Sequence, residues 1–327
     1  MALLKRTFYE TDVLSFFPTP YPDESYYSVL CRYMVHSGLP STRDTLLALF
    51  GREISPRPTL LLPYISTALS YRINPETAVT EETIVRSHTA IYYLGIAHRH
   101  KETKTIITRT REGARCGCRM NYRSSMASPW LRYCPLCAYE EKVVYGEMYW
   151  HRLHQLKGVV YCEKHGARLK ESEVSLTNIK KSFIPASFAL RDTFDKKLDD
   201  VVKQGRTASE ELAKKNAAVC TDIRWLMENG NRINGLEETL KRYETMISRT
   251  KVMRYNKGMI EDLQGLRSKV REYHGEDYLN MLHLQMHEYF EWDSVPTIIA
   301  KFLTPLQHVL LMEFFCGSAE EFYKQAI

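Results

Sequence analysis

Cys134-Pro135-Leu136-Cys137 and Cys162-Glu163-Lys164-His165 place two pairs of metal-ligand side chains at the same two-residue spacing, with 24 residues between the pairs. No other feature constrains the folding of this chain so strongly. A two-residue spacer lets both side chains of a knuckle point at one centre, and three thiolates with one imidazole fill the tetrahedral shell that zinc prefers. The intervening stretch is long enough for a helix or a hairpin and too short for a separate domain. Four ligands this compact leave no open coordination position. The expectation is one structural Zn2+ held by Cys134, Cys137, Cys162 and His165. Cys116-Gly117-Cys118 lacks a second pair at metal spacing and is a weak candidate.

At 327 residues the chain is too long for one small domain, and its 44% hydrophobic content is enough for genuine cores. No apolar run approaches the length of a membrane span, and the start, Met1-Ala2-Leu3-Leu4-Lys5-Arg6, is not followed by an apolar signal core. A soluble, cytoplasmic protein with no membrane partner is expected. Thiolate ligands suit a reducing compartment, and the remaining cysteines form no disulfide framework. Cys31, Cys220 and Cys316 sit in apolar or helical contexts and read as small core residues.

The net charge is only +6, but it is unevenly spread. Between residues 97 and 123, Arg99, Lys101, Lys104, Arg109, Arg111, Arg115, Arg119 and Arg123 face only Glu102 and Glu112. A second basic stretch holds Lys241, Arg242, Arg249, Lys251, Arg254 and Lys257 against Glu244. Such clusters neutralise phosphates and release counterions, which makes double-stranded DNA the leading partner; a solvated face is the plainer alternative. Arg109, Arg111 and Arg115 in the first stretch, and Arg249, Lys251, Arg254 and Lys257 in the second, are the candidate DNA contacts.

The pattern along the chain predicts a mainly α protein. A proline-bearing arm from Phe16 leads to Asp23 as a helix N-cap, then to a helix with Tyr26, Val29, Leu30, Tyr33 and Met34 on one face, stopped at Gly38. Ser41 can cap a second helix ending at Gly51, which gives a helix-turn-helix-like module. Pro56 to Pro63 reads as a connector, with helices expected from about Leu60 to Ser70 and from Glu81 to Ala97. Ser124 to Pro129 reads as a linker. Between the knuckles, Trp150, His151 and His154 are expected to pack over the metal module, since small zinc modules have little other core. From about Leu176 the chain looks helical throughout. An amphipathic helix beginning near Met259 and ended at Gly275 comes after a basic connector, in the manner of a second helix-turn-helix, and the apolar Ile298–Phe315 stretch closes that core. The expected domains are an N-terminal helical domain (1–123), a zinc-finger module (124–175) and a C-terminal helical, DNA-binding-like domain (176–327).

Around the metal module the residues resemble the TniQ/TnsD family of transposon target-site selectors. The resemblance is carried by Arg132-Tyr133-Cys134-Pro135-Leu136-Cys137, by Tyr145-Gly146-Glu147 with Tyr149-Trp150-His151-Arg152 and His154-Gln155, and by Val160 to Leu169. Phe17-Pro18 with Pro20-Tyr21-Pro22-Asp23-Glu24-Ser25 is similar to the family's N-terminal helix-turn-helix, His88-Thr89 to a His-Thr pair, and Pro305 to Met312 to a TnsD-type C-terminal segment. Two departures stand out: no second knuckle set comes after His165, and the chain ends soon after Gly317 where long TnsD-type members continue. The resemblance implies zinc ligation at the four named positions and a regulator-recruiting or DNA-contacting module around Tyr21–Gly51. It also implies a prokaryotic, nucleoid-associated setting.

The function expected from these features is that of a non-enzymatic DNA-binding target-site selector, which marks an insertion site and recruits an AAA+ ATPase regulator of the transposase. The alternative is an adapter that links an RNA-guided CRISPR effector complex to that ATPase, with little sequence readout of its own. A nuclease or transposase would require clustered carboxylates holding metal ions, and no local signature places the 39 Asp and Glu residues in such a set.

Overall fold

Ser25, rather than Asp23, caps the first helix. A computed structural model gives the fold and describes residues 13–51, 73, 79–111, 126–176, 182–194, 209–249, 255–256, 259–260, 263–284 and 303–325. Helix α1 runs Tyr26–His36, and the Ser25 hydroxyl accepts from the Ser28 N–H at 3.3 Å. Asp23 sits two residues earlier with φ 54°, where its carboxylate is turned away from the helix and towards Arg152. A cap must have extended backbone and an inward-facing side-chain oxygen, and only Ser25 offers both. Helix α2, Thr42–Phe50, starts on Ser41 and stops at Gly51 as its sequence requires. The two helices bury Tyr26, Leu30, Leu46 and Leu49. The Pro56–Pro63 connector and the helix expected over Leu60–Ser70 lie outside the described residues.

The single helix expected from Glu81 to Ala97 is two: α3, Glu81–His88, and α4, Ile91–Gly95. Thr89 breaks it with extended backbone (φ −130°, ψ 170°), which frees its carbonyl to accept from Arg152 at 2.8 Å. A buried guanidinium needs several acceptors, and helix continuation would have taken this one away. Helix α5, His100–Arg111, comes next.

Strand β1, Trp130–Tyr133, pairs antiparallel with β2, Lys170–Ser175, and between them lie helix α6, Pro135–Tyr145, and a 3-10 turn at Leu153–Gln155. The expected linker is ordered structure from Met126 onward: Met126 bridges Leu156, and the Ala127 N–H donates to the Gln155 carbonyl at 3.1 Å. Gln155 then clamps β1, accepting from the Arg132 N–H at 2.8 Å and donating to the Arg132 carbonyl at 2.9 Å.

The short helices α7, Ala186–Ala189, and α8, Arg191–Phe194, precede α9, Glu210–Asn229, which lies in the middle of the core. Val219, Cys220, Ile223 and Leu226 of α9 are fully buried, each aliphatic side chain contributing about 1.5–3 kcal/mol of burial. Helix α10, Gly235–Arg249, is followed by a two-stranded hairpin of β3, Tyr255–Asn256, and β4, Met259–Ile260. The expected helix start near Met259 is therefore wrong, and the mainly helical C-terminal part is interrupted here by a short hairpin. The residues between the two strands are Lys257 and Gly258, and a two-residue connection with glycine is a hairpin signal. Helix α11 begins at Leu263 and runs to His274, and α12 covers Glu276–Met281. Helices α13, Pro305–Cys316, and α14, Ala319–Lys324, close the core against α9, with Leu306, Val309, Leu310 and Met312 buried. Cys31 and Cys220 are buried core residues, and Cys316 is half-buried against Met246.

The metal module and α9 are joined by hydrogen bonds. The Asn216 side chain accepts from the N–H groups of Val160 and Tyr161 at 3.1 and 2.7 Å and donates to the Gly158 carbonyl at 2.5 Å. Gly158 has φ 99°, and a Cβ there would lie 2.6 Å from Leu306 Cδ1, so both conformation and space require glycine.

Candidate metal centre and its frame

Cys134 directly follows β1 as the N-cap of α6, with Pro135 at the first helical position, and so brings Cys137 into the first turn on the same side. The exposed N–H groups of that turn favour thiolate charge. Cys162 and His165 come from a tight hairpin in which the Gly166 N–H donates to the Cys162 carbonyl at 2.7 Å and the Cys162 N–H to the Ala167 carbonyl at 2.8 Å. The four expected ligand atoms converge within 4.8 Å of one another. His165 Nδ1 lies 3.5, 3.3 and 3.6 Å from the sulfurs of Cys134, Cys137 and Cys162, and Cys137 and Cys162 are 3.6 Å apart. A tetrahedron built on metal–sulfur and metal–nitrogen bonds of the zinc type has edges of roughly 3.5–3.8 Å. The cluster fits a tetrahedral metal ion, with every position taken by protein.

Glu140, which the sequence did not single out, completes the arrangement. His165 Nε2 lies 3.0 Å from Glu140 Oε1, which leaves Nδ1 as the ligand nitrogen, and Lys164 pairs with the other carboxylate oxygen. A carboxylate behind a ligating histidine fixes its orientation and raises its basicity. The signal was one of period: Glu140 stands three residues after Cys137 on α6.

Beside the cluster a cleft of about 340 Å³ is lined by Asp23, Glu141, Tyr145, Tyr149, His151 and Arg224, among others. His151 Nε2 lies 2.5 Å from Glu141 Oε1 and its Nδ1 3.8 Å from Asp23 Oδ2. Burial alone would depress the His151 pKa, but the two carboxylates outweigh it and hold it up at about 10. His154, whose ring centroid lies 4.4 Å from that of His151, is held down at about 4 by burial and by that neighbouring charge. Cys137, Glu141 and His151 also lie close enough together to share an ion, but Cys137 belongs to the first set and the other two hydrogen-bond each other. The cleft's four carboxylates are all engaged: Asp23 by Arg152, Glu140 by His165 and Lys164, Glu141 by His151, and Glu163 by Arg224. His151 and His154 pack as expected, and Trp150 is wholly buried with its Nε1–H on the Ile184 carbonyl at 3.0 Å.

The two sequence segments that carried the family resemblance meet in space. The Ser25 N–H donates to the Trp150 carbonyl at 2.8 Å, and the Arg152 N–H to the Asp23 carbonyl at 2.9 Å. Arg152 adds Asp23 Oδ1 at 2.9 Å and the carbonyls of Arg86 and Thr89 at 2.7 and 2.8 Å. Arg32 joins Glu24 at 2.8 Å to Glu147 at 2.7 Å and lies over the Tyr21 ring. His88 Nδ1 donates to the Glu24 carbonyl at 2.7 Å. Asp23 with Arg152 and Arg32 with Glu147 pair across the two segments, which is what lets these charges be buried.

Three of the candidate DNA contacts lie among the described residues, on two helices. Arg109 is exposed on α5, Arg111 ends that helix and Arg249 ends α10. Arg115, Lys251, Arg254 and Lys257 lie outside the described residues, as do Cys116 and Cys118. Arg242 leaves the basic stretch altogether: it is buried, pairs with Glu238 at 2.8 Å, and donates to the carbonyls of Phe322 and Gln325 at 3.0 and 2.7 Å.

No helix among the described residues is long and apolar enough to cross a membrane. Residues 15–169 match the TniQ family model, a span that takes in α1 to α6 and all four metal-ligand candidates. The chain is 26% identical over 156 residues to the Tn7 transposition protein TnsD of Escherichia coli. The match covers 46% of this chain and 30% of that protein, so it spans under a third of the relative's length. The Cys3His cluster and the two interlocked segments fall inside the matched span, so residues 15–169 are a TniQ domain, in a chain that is similar over that part to TnsD.

Proposed function

We propose that this chain is a non-enzymatic target-site selector for transposition, which binds double-stranded DNA at the insertion site and recruits an AAA+ ATPase regulator of the transposase. The observation that carries this reading is the TniQ domain itself, in a chain whose matched relative is a transposition protein. The Cys3His cluster takes one Zn2+ in a structural role, since four protein ligands leave no place for a reactant. The engaged carboxylates of the neighbouring cleft support a binding module rather than a nuclease.

DNase footprinting of the purified full chain on target-containing DNA, without RNA or other proteins, tests the proposal. One discrete protected site is the expected result. Salt-sensitive binding with no discrete site would overturn direct reading and move the chain to the adapter role beside an RNA-guided effector complex. Metal-dependent cleavage of the DNA would sink the non-enzymatic assignment.

A further inference from the structure

Helix α5 carries its charge on one side. Thr103 and Ile106 face the core, whereas Lys101, Lys104, Thr105, Thr108 and Arg109 are exposed along the opposite face. None of the three cations forms an ion pair among the described residues. The nearest acids are turned aside, Glu102 taking the Arg99 N–H at 3.3 Å and Glu237 the His100 N–H at 3.1 Å. Alongside runs a groove of about 300 Å³ with apolar walls at Tyr92, Ile96 and Ile107 and with Lys104 and Thr108 on its α5 side. Thr103 also lines it, is only 8% exposed, and its hydroxyl has no hydrogen-bond partner among the described residues.

The helix is firmly mounted. The Leu236 N–H donates to the His98 carbonyl at 2.9 Å. Gly235 (φ 61°) approaches so closely that a Cβ would lie 2.6 Å from the same oxygen.

We infer that the exposed face of α5 and its groove seat the phosphodiester backbone of duplex DNA, Lys101, Lys104 and Arg109 neutralising phosphates while the Thr108 hydroxyl donates to a phosphate or sugar oxygen. The inference rests on the proposed DNA-binding function and gives it a surface. Lys101 and Arg109 are separated by about 12 Å along the helix axis, enough to follow several phosphates of one strand. Cations interleaved with hydroxyls, on a face from which carboxylates are turned away, suit backbone contact rather than base readout.

The test measures binding of the full chain to a duplex of arbitrary sequence by fluorescence anisotropy across a salt series. Neutralising the face as Lys101→Gln, Lys104→Gln and Arg109→Gln together should weaken binding about tenfold or more and reduce the slope of log affinity against log salt by about 2–3. Lys104→Gln alone should reduce it by about 0.9, and Lys104→Arg should leave it unchanged. Unchanged affinity and slope in both the triple and the single neutralised chains, with melting temperatures like the parent's, would overturn the α5 seat alone. A parent chain with no salt-dependent DNA binding overturns both the seat and the function it rests on.

Discussion

His165 illustrates how much of a metal ligand's role depends on a residue that is not a ligand. Its Nδ1 reaches the three sulfurs because Glu140 holds Nε2 from behind. Glu140→Gln keeps the shape of that contact and removes its charge, so zinc affinity is expected to fall about 10–100-fold in a competition with a chromophoric chelator. Cys162→Ser should lose the ion altogether and lower the melting temperature, because metal binding in such modules is largely folding energy. Elemental analysis of reductant-treated, well-folded parent protein should give one zinc per chain. Protein that is folded and metal-free would refute the assignment. The ligand set was legible in the sequence because a two-residue spacer is a local property. The partners of Asp23 and Arg152 were not, because the two residues meet across 129 positions of sequence.

Helices α9, α13 and α14 meet around a pair of acids. Asp222 of α9 accepts from the Ala319 N–H at 2.9 Å and interacts with Glu313 of α13. Burial raises Asp222 to about 6, and burial together with the Asp222 charge raises Glu313 to about 9. His274 Nδ1 stands 3.8 Å from Glu313 but is kept from protonating by its own burial. In the unfolded chain Glu313 would titrate near the ordinary value of about 4.3. The folded state therefore binds the proton more tightly, and the stabilisation this gives is fully present below that value and is lost as pH rises towards about 9. The melting temperature is expected to fall between pH 6 and pH 9, by about 2–4 °C for each kcal/mol lost, and Glu313→Gln should flatten the dependence. A parent and variant with the same pH profile would show that the pair does not matter. At this scale the helical pattern of α1 and α2 was legible from periodicity, and the start and stop of α2 from Ser41 and Gly51, whereas α13 read only as an apolar stretch. The break at Thr89 and the hairpin after α10 were not, since an acceptor claimed by Arg152 and a two-residue pairing leave no mark on helical period.

Across the whole molecule the TniQ domain does not stand apart from the C-terminal helices. Trp150 donates to Ile184, the Ile184 N–H donates to the Tyr27 hydroxyl at 3.0 Å, Asn216 holds the backbone of residues 158–161, and Arg224 pairs with Glu163. A chain ended at residue 175 would uncover Trp150 and the α9-facing side of the metal hairpin, so it is expected to aggregate or to melt without a cooperative transition in calorimetry. A truncated protein that melts as sharply as the full chain, with its zinc bound, would show that these contacts are dispensable. The sequence by itself determined the ligand set, the capped and amphipathic helices, and the uneven placement of cations, because each depends on residues within a few positions of one another. Only the tertiary structure decided which of those charges are free. It buried Arg242 against the C-terminal carbonyls and Arg152 against Asp23, and it left Lys101, Lys104 and Arg109 in solvent. Desolvating a charge costs more than any local preference can offset, so its fate is set by whether distant chain segments bring it partners.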